Sequence, residues 1–246
     1  MRFGPPLARN VVHMPETSPI RQNTTFASGE GTAHGFLALP PSGSGAGVIV
    51  IQEWWGLTPY IAETAERLAT AGFVALAPDL YGGTVTHDAD EAGQLMSELP
   101  VDRAARDLAG AVDFLLASDA VTSGTVGAVG FCMGGGFVLQ LAAQQGDRVS
   151  AAAPFYGVGP AVPDNYRGLS AAVLGHYGER DEFYPVAGAR AQEAQIRDES
   201  GASVEFRYYD AGHAFHNDTN ALGTYSPSDA AAAWEATLDF LRGAVR

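Results

Sequence analysis

From residue 47 onward, short apolar runs rich in β-branched residues alternate with stretches whose apolar positions recur at helical spacing. Gly47 to Gln52, G-V-I-V-I-Q, has no polar interruption before its last residue, the pattern of a strand covered on both faces of a parallel sheet. Pro59 to Ala71 has helical spacing and stops at Gly72, and Phe73 to Ala77 is the next buried strand, so a β-α-β unit is predicted. The same reading gives a helix over Asp102 to Ser118, a strand over Thr125 to Phe131, a helix over Met133 to Gln144 and a strand over Val149 to Tyr156. It continues with a strand over Ala171 to Tyr177, a helix over Pro185 to Ser200, a strand over Ser203 to Tyr209 and a closing helix over Pro227 to Leu241. Ahead of this series, residues from Thr24 to Pro40 predict an edge hairpin about Gly29-Glu30-Gly31. Residues 1 to 22, rich in Pro and polar side chains, predict an extended arm in which Met14 is a second candidate start. The expected fold class is α/β: a mainly parallel central sheet flanked by helices, in a single domain over residues 23 to 246.

Composition narrows the function. The 14 cations are all arginine, because the chain contains no lysine, so P-loop, Schiff-base and S-x-x-K chemistries lack their essential residue. Against 28 acidic residues the net charge is −14, which disfavours nucleic acid and anionic membrane surfaces as partners. The most apolar long stretch, Ala128 to Ala143, is broken by four glycines and Gln140, so no membrane span is expected, and the absence of a signal-like N-terminus points to the cytoplasm. With one cysteine, Cys132, there is neither an internal disulfide nor a multi-cysteine zinc site.

That cysteine sits in V-G-A-V-G-F-C-M-G-G-G-F, where a buried strand meets a helix and Gly130 and Gly134 flank it at minus two and plus two. A side chain at the tip of so sharp a turn has a strained backbone, and glycines remove the Cβ atoms that would clash. The arrangement is a nucleophile elbow with sulfur in place of hydroxyl. The helix N-terminus favours a thiolate and aims the Met133 N–H at a developing oxyanion. A cysteine nucleophile needs a base and the base an orienting acid. Asp181, in G-E-R-D-E-F-Y-P, and His213, in A-G-H-A-F-H-N, follow later strands in the chain order nucleophile, acid, histidine. Each has a plainer reading, as a turn aspartate and a loop histidine. His216 could suggest a metal pair with His213, but no third ligand is placed, and no metal is expected. Glu53 closes the strand G-V-I-V-I-Q-E beside Trp54 and Trp55, a partly dry setting in which its proton affinity should rise and it can act on a thiol.

Taken together, V-I-V-I-Q-E-W-W-G-L, A-P-D-L-Y-G, G-A-V-G-F-C-M-G-G, F-Y-G-V-G, G-E-R-D-E-F-Y-P and A-G-H-A-F-H resemble the dienelactone hydrolase family of the α/β-hydrolase superfamily, from about residue 24 to the C-terminus. The resemblance implies an α/β-hydrolase fold and a hydrolase of small lactones or esters. Its catalytic residues would be Cys132, His213 and Asp181, with Glu53 contacting the cysteine and helping to form the thiolate as substrate binds. It also implies an oxyanion hole from the backbone N–H groups of Trp54 and Met133, and a pocket wall at Tyr156, with Trp55, Tyr81 and Phe215 expected to line the same pocket. No metal or organic cofactor is expected, and the partners are a small-molecule substrate and, at most, a few further copies of the chain. The family looks to hold a substrate carboxylate with two arginines, at positions that read Gly82-Gly83 and His216-Asn217 here, so a neutral lactone or ester is expected unless Arg180 or another arginine substitutes. Two other readings compete: a non-catalytic binding homologue, and a glutamine-amidotransferase type of enzyme, which the upstream position of the acid disfavours.

Overall fold

A computed structural model describes residues 21–29 and 31–246; the expected arm lies outside them except for Arg21 and Gln22. The chain forms β1 (Thr24–Ser28), β2 (Gly31–Ala38), β3 (Gly45–Ile51), α1 (Pro59–Thr70), β4 (Val74–Pro78), α2 (Ala89–Glu98) and α3 (Val101–Leu116). It continues with β5 (Val121–Phe131), α4 (Met133–Gln145), β6 (Val149–Phe155), β7 (Ala172–Gly178), α5 (Val186–Ser200), β8 (Val204–Tyr209) and α6 (Pro227–Ala244). The eight strands make one sheet in the order β1-β2-β4-β3-β5-β6-β7-β8, antiparallel at β1/β2 and β2/β4 and parallel elsewhere.

Continuous apolar strands demand cover on both faces, and the helices provide it. On one face α1 and α6 bury Ile61, Leu68, Ala233 and Leu241 against Val48, Val50, Ala77 and Val129. On the other, α3, α4 and α5 bury Leu108, Val112, Val138, Leu141 and Ile196 against Ile49, Ile51, Leu76 and Ala128. Each fully buried Val or Ile contributes roughly 1.5–3 kcal/mol relative to exposure, so a register slip in β3 would be costly on both faces.

The helix α2 was not expected. Its sequence, A-D-E-A-G-Q-L-M-S-E, has little apolar periodicity and buries Ala92 fully, but Asp88 caps it by accepting from the Glu91 N–H at 2.9 Å. The remaining elements fall within a few residues of their predicted bounds, the largest extension being β5, which begins at Val121 with alternating partly buried and exposed positions. Among the described residues no helix is long and apolar enough to cross a membrane.

From β3 the chain runs to β4 on one side, then returns to β5 on the other side of β3. The carboxyl ends of β3 and β5 therefore lie side by side at the point where the connections diverge, which is where open α/β sheets form ligand crevices.

Candidate active site

Glu53 and Cys132 emerge at that crevice. Ile51 pairs with Gly130, so the residues just beyond the two strands are neighbours although far apart in sequence. Cys132 stands between β5 and α4 with φ 54° and ψ −119°, a conformation that costs a non-glycine residue roughly 1–3 kcal/mol. Its backbone is held there from both sides: its N–H donates to the Phe155 carbonyl at 3.0 Å, and its carbonyl accepts from Gly135 at 2.9 Å and Val158 at 3.1 Å. The flanking glycines are required by contact. A Cβ on Gly130 would lie 2.3 Å from the Gly134 carbonyl oxygen, and one on Gly134 would lie 2.3 Å from that of Ile51.

The backbone N–H groups of Met133 and Trp54 both act to lower the proton affinity of the Cys132 thiol. Burial and the charge of Glu53 nevertheless push the thiol well up, so in this arrangement it holds its proton. The amides at the helix N-terminus pull toward a thiolate, and desolvation outweighs them. The sulfur does not bond His213, whose Nε2 is buried without a hydrogen-bond partner among the described residues.

His213 and Asp181 lie on the loops after β8 and β7, which are adjacent strands. The His213 Nδ1 is 2.7 Å from Asp181 Oδ2, with both side chains buried. The other carboxylate oxygen of Asp181 accepts from the N–H groups of Phe183 and Tyr184, each at 2.8 Å, so Asp181 ties its turn as well as meeting the histidine. His216 points to a different partner, with its Nδ1 2.6 Å from the Tyr60 hydroxyl, and the two histidines do not converge as a metal pair would.

Glu53 is buried. Its Oε2 accepts from the Asn217 side-chain amide at 2.6 Å, and its Oε1 lies 3.5 Å from the Tyr156 hydroxyl. Asn217 is oriented by its own oxygen, which accepts from the Thr219 N–H and hydroxyl at 3.0 and 2.7 Å. Burial dominates these donors and pushes the Glu53 carboxyl up to about 7.

The four expected pocket residues divide. Trp55 and Tyr60 line a recess of about 80 Å³ that also takes in Asn217 and Ala221. Tyr81 is partly buried, with its hydroxyl 3.5 Å from the Met133 sulfur. Tyr156, at φ 39°, packs 5.0 Å from the His213 ring. Phe215 has no exposed surface; it packs edge-on to Tyr156 and against Tyr209, and supports the wall by holding Tyr156. One aromatic went unnoticed in the sequence: Phe183 is 60% exposed, with its ring 5.0 Å from His213 and 6.4 Å from Trp54. It lies two residues after Asp181, a spacing that could have singled it out.

The positions expected to lack arginines have structural duties. Gly83 adopts φ 98° and donates its N–H to Asp79 at 2.6 Å, so a side chain there would be strained. Asn217 faces Glu53. Arg180 is exposed and paired with Asp210 at 2.8 Å.

A parallel sheet wound in both directions, a strained strand-to-helix turn at its switch point and a buried histidine–aspartate pair on later loops define an α/β-hydrolase. The family model described as the dienelactone hydrolase family matches residues 33–245, and the chain belongs to that family. It is 33% identical over 221 residues to the protein usf of Aquifex pyrophilus, covering 85% of this chain and 92% of that one. It is 31% identical over 240 residues to the carboxymethylenebutenolidase of Pseudomonas putida, covering 90% and 96%. Among solved structures it is similar to a dienelactone hydrolase-like promiscuous phosphotriesterase from metagenomic libraries, with 27% identity, a TM-score of 0.80 and coverage of 92% and 98%.

Proposed function

We propose that this hydrolase opens small neutral lactones or esters through a thioester on Cys132, with His213 as base and Asp181 as its partner. The observation that carries the reading is Cys132 held at φ 54° on the turn between β5 and α4, where the Trp54 and Met133 N–H groups favour negative charge on its sulfur, together with a histidine whose Nδ1 is engaged by Asp181. Two such amides suit a developing oxyanion. In the resting arrangement they act on the sulfur. Rotation about the Cys132 side chain then brings the sulfur toward His213 and frees the amides for a substrate carbonyl.

The proton balance follows. The thiol proton passes to the Glu53 carboxylate, and the thiolate attacks the carbonyl carbon, whose oxygen becomes the anion held by the two amides. Collapse breaks the C–O bond, and the leaving oxygen takes up the proton that Glu53 held. Water then attacks the thioester as His213 Nε2 accepts its proton; Asp181 stabilises the imidazolium, and the departing sulfur recovers that proton as thiol. A carboxyl poised at about 7 suits both accepting and returning a proton near neutral pH. No metal or organic cofactor enters this scheme.

The test is turnover of a chromogenic acetyl ester before and after thiol alkylation, with Cys132→Ala as control. The variant should fold, since the glycine-supported turn is intact, and should lose at least about a thousandfold in kcat/KM. Unchanged turnover would remove Cys132 from the mechanism, whereas no turnover by the unmodified protein would favour the binding-homologue reading.

A further inference from the structure

A single large apolar side chain left in water is ordinary on a protein surface. Among the described residues two such side chains are exposed, Leu39 and Phe183. Leu39 follows the end of β2 that pairs with the start of β4, at the edge of the sheet away from the crevice. Phe183 stands at the crevice, with its ring 5.0 Å from that of His213 and 6.4 Å, edge-on, from that of Trp54.

Its place there is built. The Phe183 N–H donates to Asp181 Oδ1 at 2.8 Å, while Asp181 Oδ2 meets His213 Nδ1 at 2.7 Å, so one carboxylate sets the phenyl ring and the imidazole in register. Trp54 is half-buried and is braced by the buried Trp55, whose ring lies 4.9 Å away. Tyr156 is also 5.0 Å from the His213 ring but has no exposed surface, so of the two rings beside the histidine Phe183 is the one that a ligand can cover.

We propose that Phe183, with Trp54 beside it, seats a flat apolar group on the alcohol side of the substrate. The preferred substrates are then esters of apolar alcohols, or lactones with such a group on the carbon bonded to the ring oxygen. The inference rests on the reading of His213 as the base that acts on water, and it names the substrate class of that site. The side follows from the proton transfer. His213 takes its proton from the water that attacks the thioester, and that water enters where the alcohol has left, so the flank over His213 is the alcohol flank. A ring bound there removes apolar surface from water, and neighbouring aromatic rings favour a flat partner in offset or edge-on contact.

Two isomers test the assignment. Benzyl acetate and methyl phenylacetate contain the same atoms and the same phenyl ring, which sits on the alcohol side in the first and on the acyl side in the second. The readout is the ratio of their kcat/KM values, each divided by the rate constant for hydroxide hydrolysis of the same compound. A loss common to both, as from a displaced histidine, leaves that ratio untouched. It should exceed one in the unmodified protein and fall about tenfold in Phe183→Ala, the scale of one aromatic contact, and fall less in Phe183→Leu. Both variants keep the N–H that Asp181 holds. A ratio below one in the unmodified protein, or one unchanged in folded Phe183→Ala, would overturn the proposal. A second measurement separates the seat from the chemistry at sulfur: the Kd of 4-phenylbutan-2-one, in which methylene replaces the ester oxygen of benzyl acetate, followed by tryptophan fluorescence in Cys132→Ala. Adding Phe183→Ala should weaken this binding about tenfold. That result would support the seat even if alkylation failed to stop turnover, and an unmoved Kd would overturn it.

Discussion

Glu53 is buried beside an amide rather than a guanidinium, and the missing cation shows in its proton affinity. Its ordinary value of 4.5 rises to about 7 in the folded protein, so the native state binds a proton that the unfolded chain has released. The stability this confers is fully present below pH 4.5 and is lost as pH rises through 7. Above that, the buried charge costs on the order of 3 kcal/mol, since each tenfold change in proton affinity is worth about 1.4 kcal/mol. Glu53→Gln removes the charge and keeps the shape. It should therefore raise Tm at pH 8 and differ little from the unmodified protein at pH 4.5, as measured by thermal unfolding across that range. An equal Tm at pH 8 would mean that the carboxyl is not perturbed. Two tryptophans beside a strand-end carboxylate made this residue legible in the sequence. Its partner Asn217 was not, because it is brought there across 164 positions, and no local pattern marks such a pair.

Elements were more legible than contacts, for physical reasons. A strand covered on both faces must be apolar throughout, so β3, β4 and β5 announce themselves, and the glycines about Cys132 mark a turn whose strain is local. The helix α2 escaped because it buries little and is secured by a cap rather than by an apolar stripe. Likewise, Phe183 gains its place over His213 from the Asp181 turn, which ties two consecutive N–H groups to one carboxylate oxygen. The junction of β3, β5 and α4 yields a sharp prediction. A Cβ at Gly134 would lie 2.3 Å from the Ile51 carbonyl oxygen and 2.6 Å from that of Gln52, on the segment that carries Glu53. Backbone cannot yield as a flexible side chain can, so Gly134→Ala should cost about 1–3 kcal/mol and displace Cys132 from Glu53. Urea unfolding should show a lower midpoint with an unchanged slope, and turnover should fall further than stability. A variant with the original midpoint would show that α4 shifts freely on the sheet.

At the scale of the whole molecule, charge becomes the selector of substrate. With 28 acidic and 14 basic residues the protein carries −14, and the crevice adds the Glu53 carboxylate close to the sulfur. An anionic substrate meets repulsion on approach and finds no guanidinium at 83 or 217, where Gly83 is committed to a positive-φ turn and Asn217 to Glu53. We expect a higher kcat/KM for the methyl ester of a carboxylated lactone than for its free acid. The two parts of the penalty separate by salt: the long-range part is screened over a Debye length of about 10 Å at 0.1 M, whereas the contact part inside the buried site is not. The ratio should therefore narrow between low and moderate ionic strength without reaching unity. Placing an arginine at 217 will not simply rescue the acid, because its guanidinium would pair first with Glu53 and hold that carboxyl ionised. In Asn217→Arg, then, the acid limb of the kcat/KM profile should move to lower pH for both substrates before any preference for the anion appears. A free acid preferred in the unmodified protein at low salt would overturn the argument and direct attention to a cation reaching the crevice from elsewhere, with Arg180 released from Asp210 as the first to test.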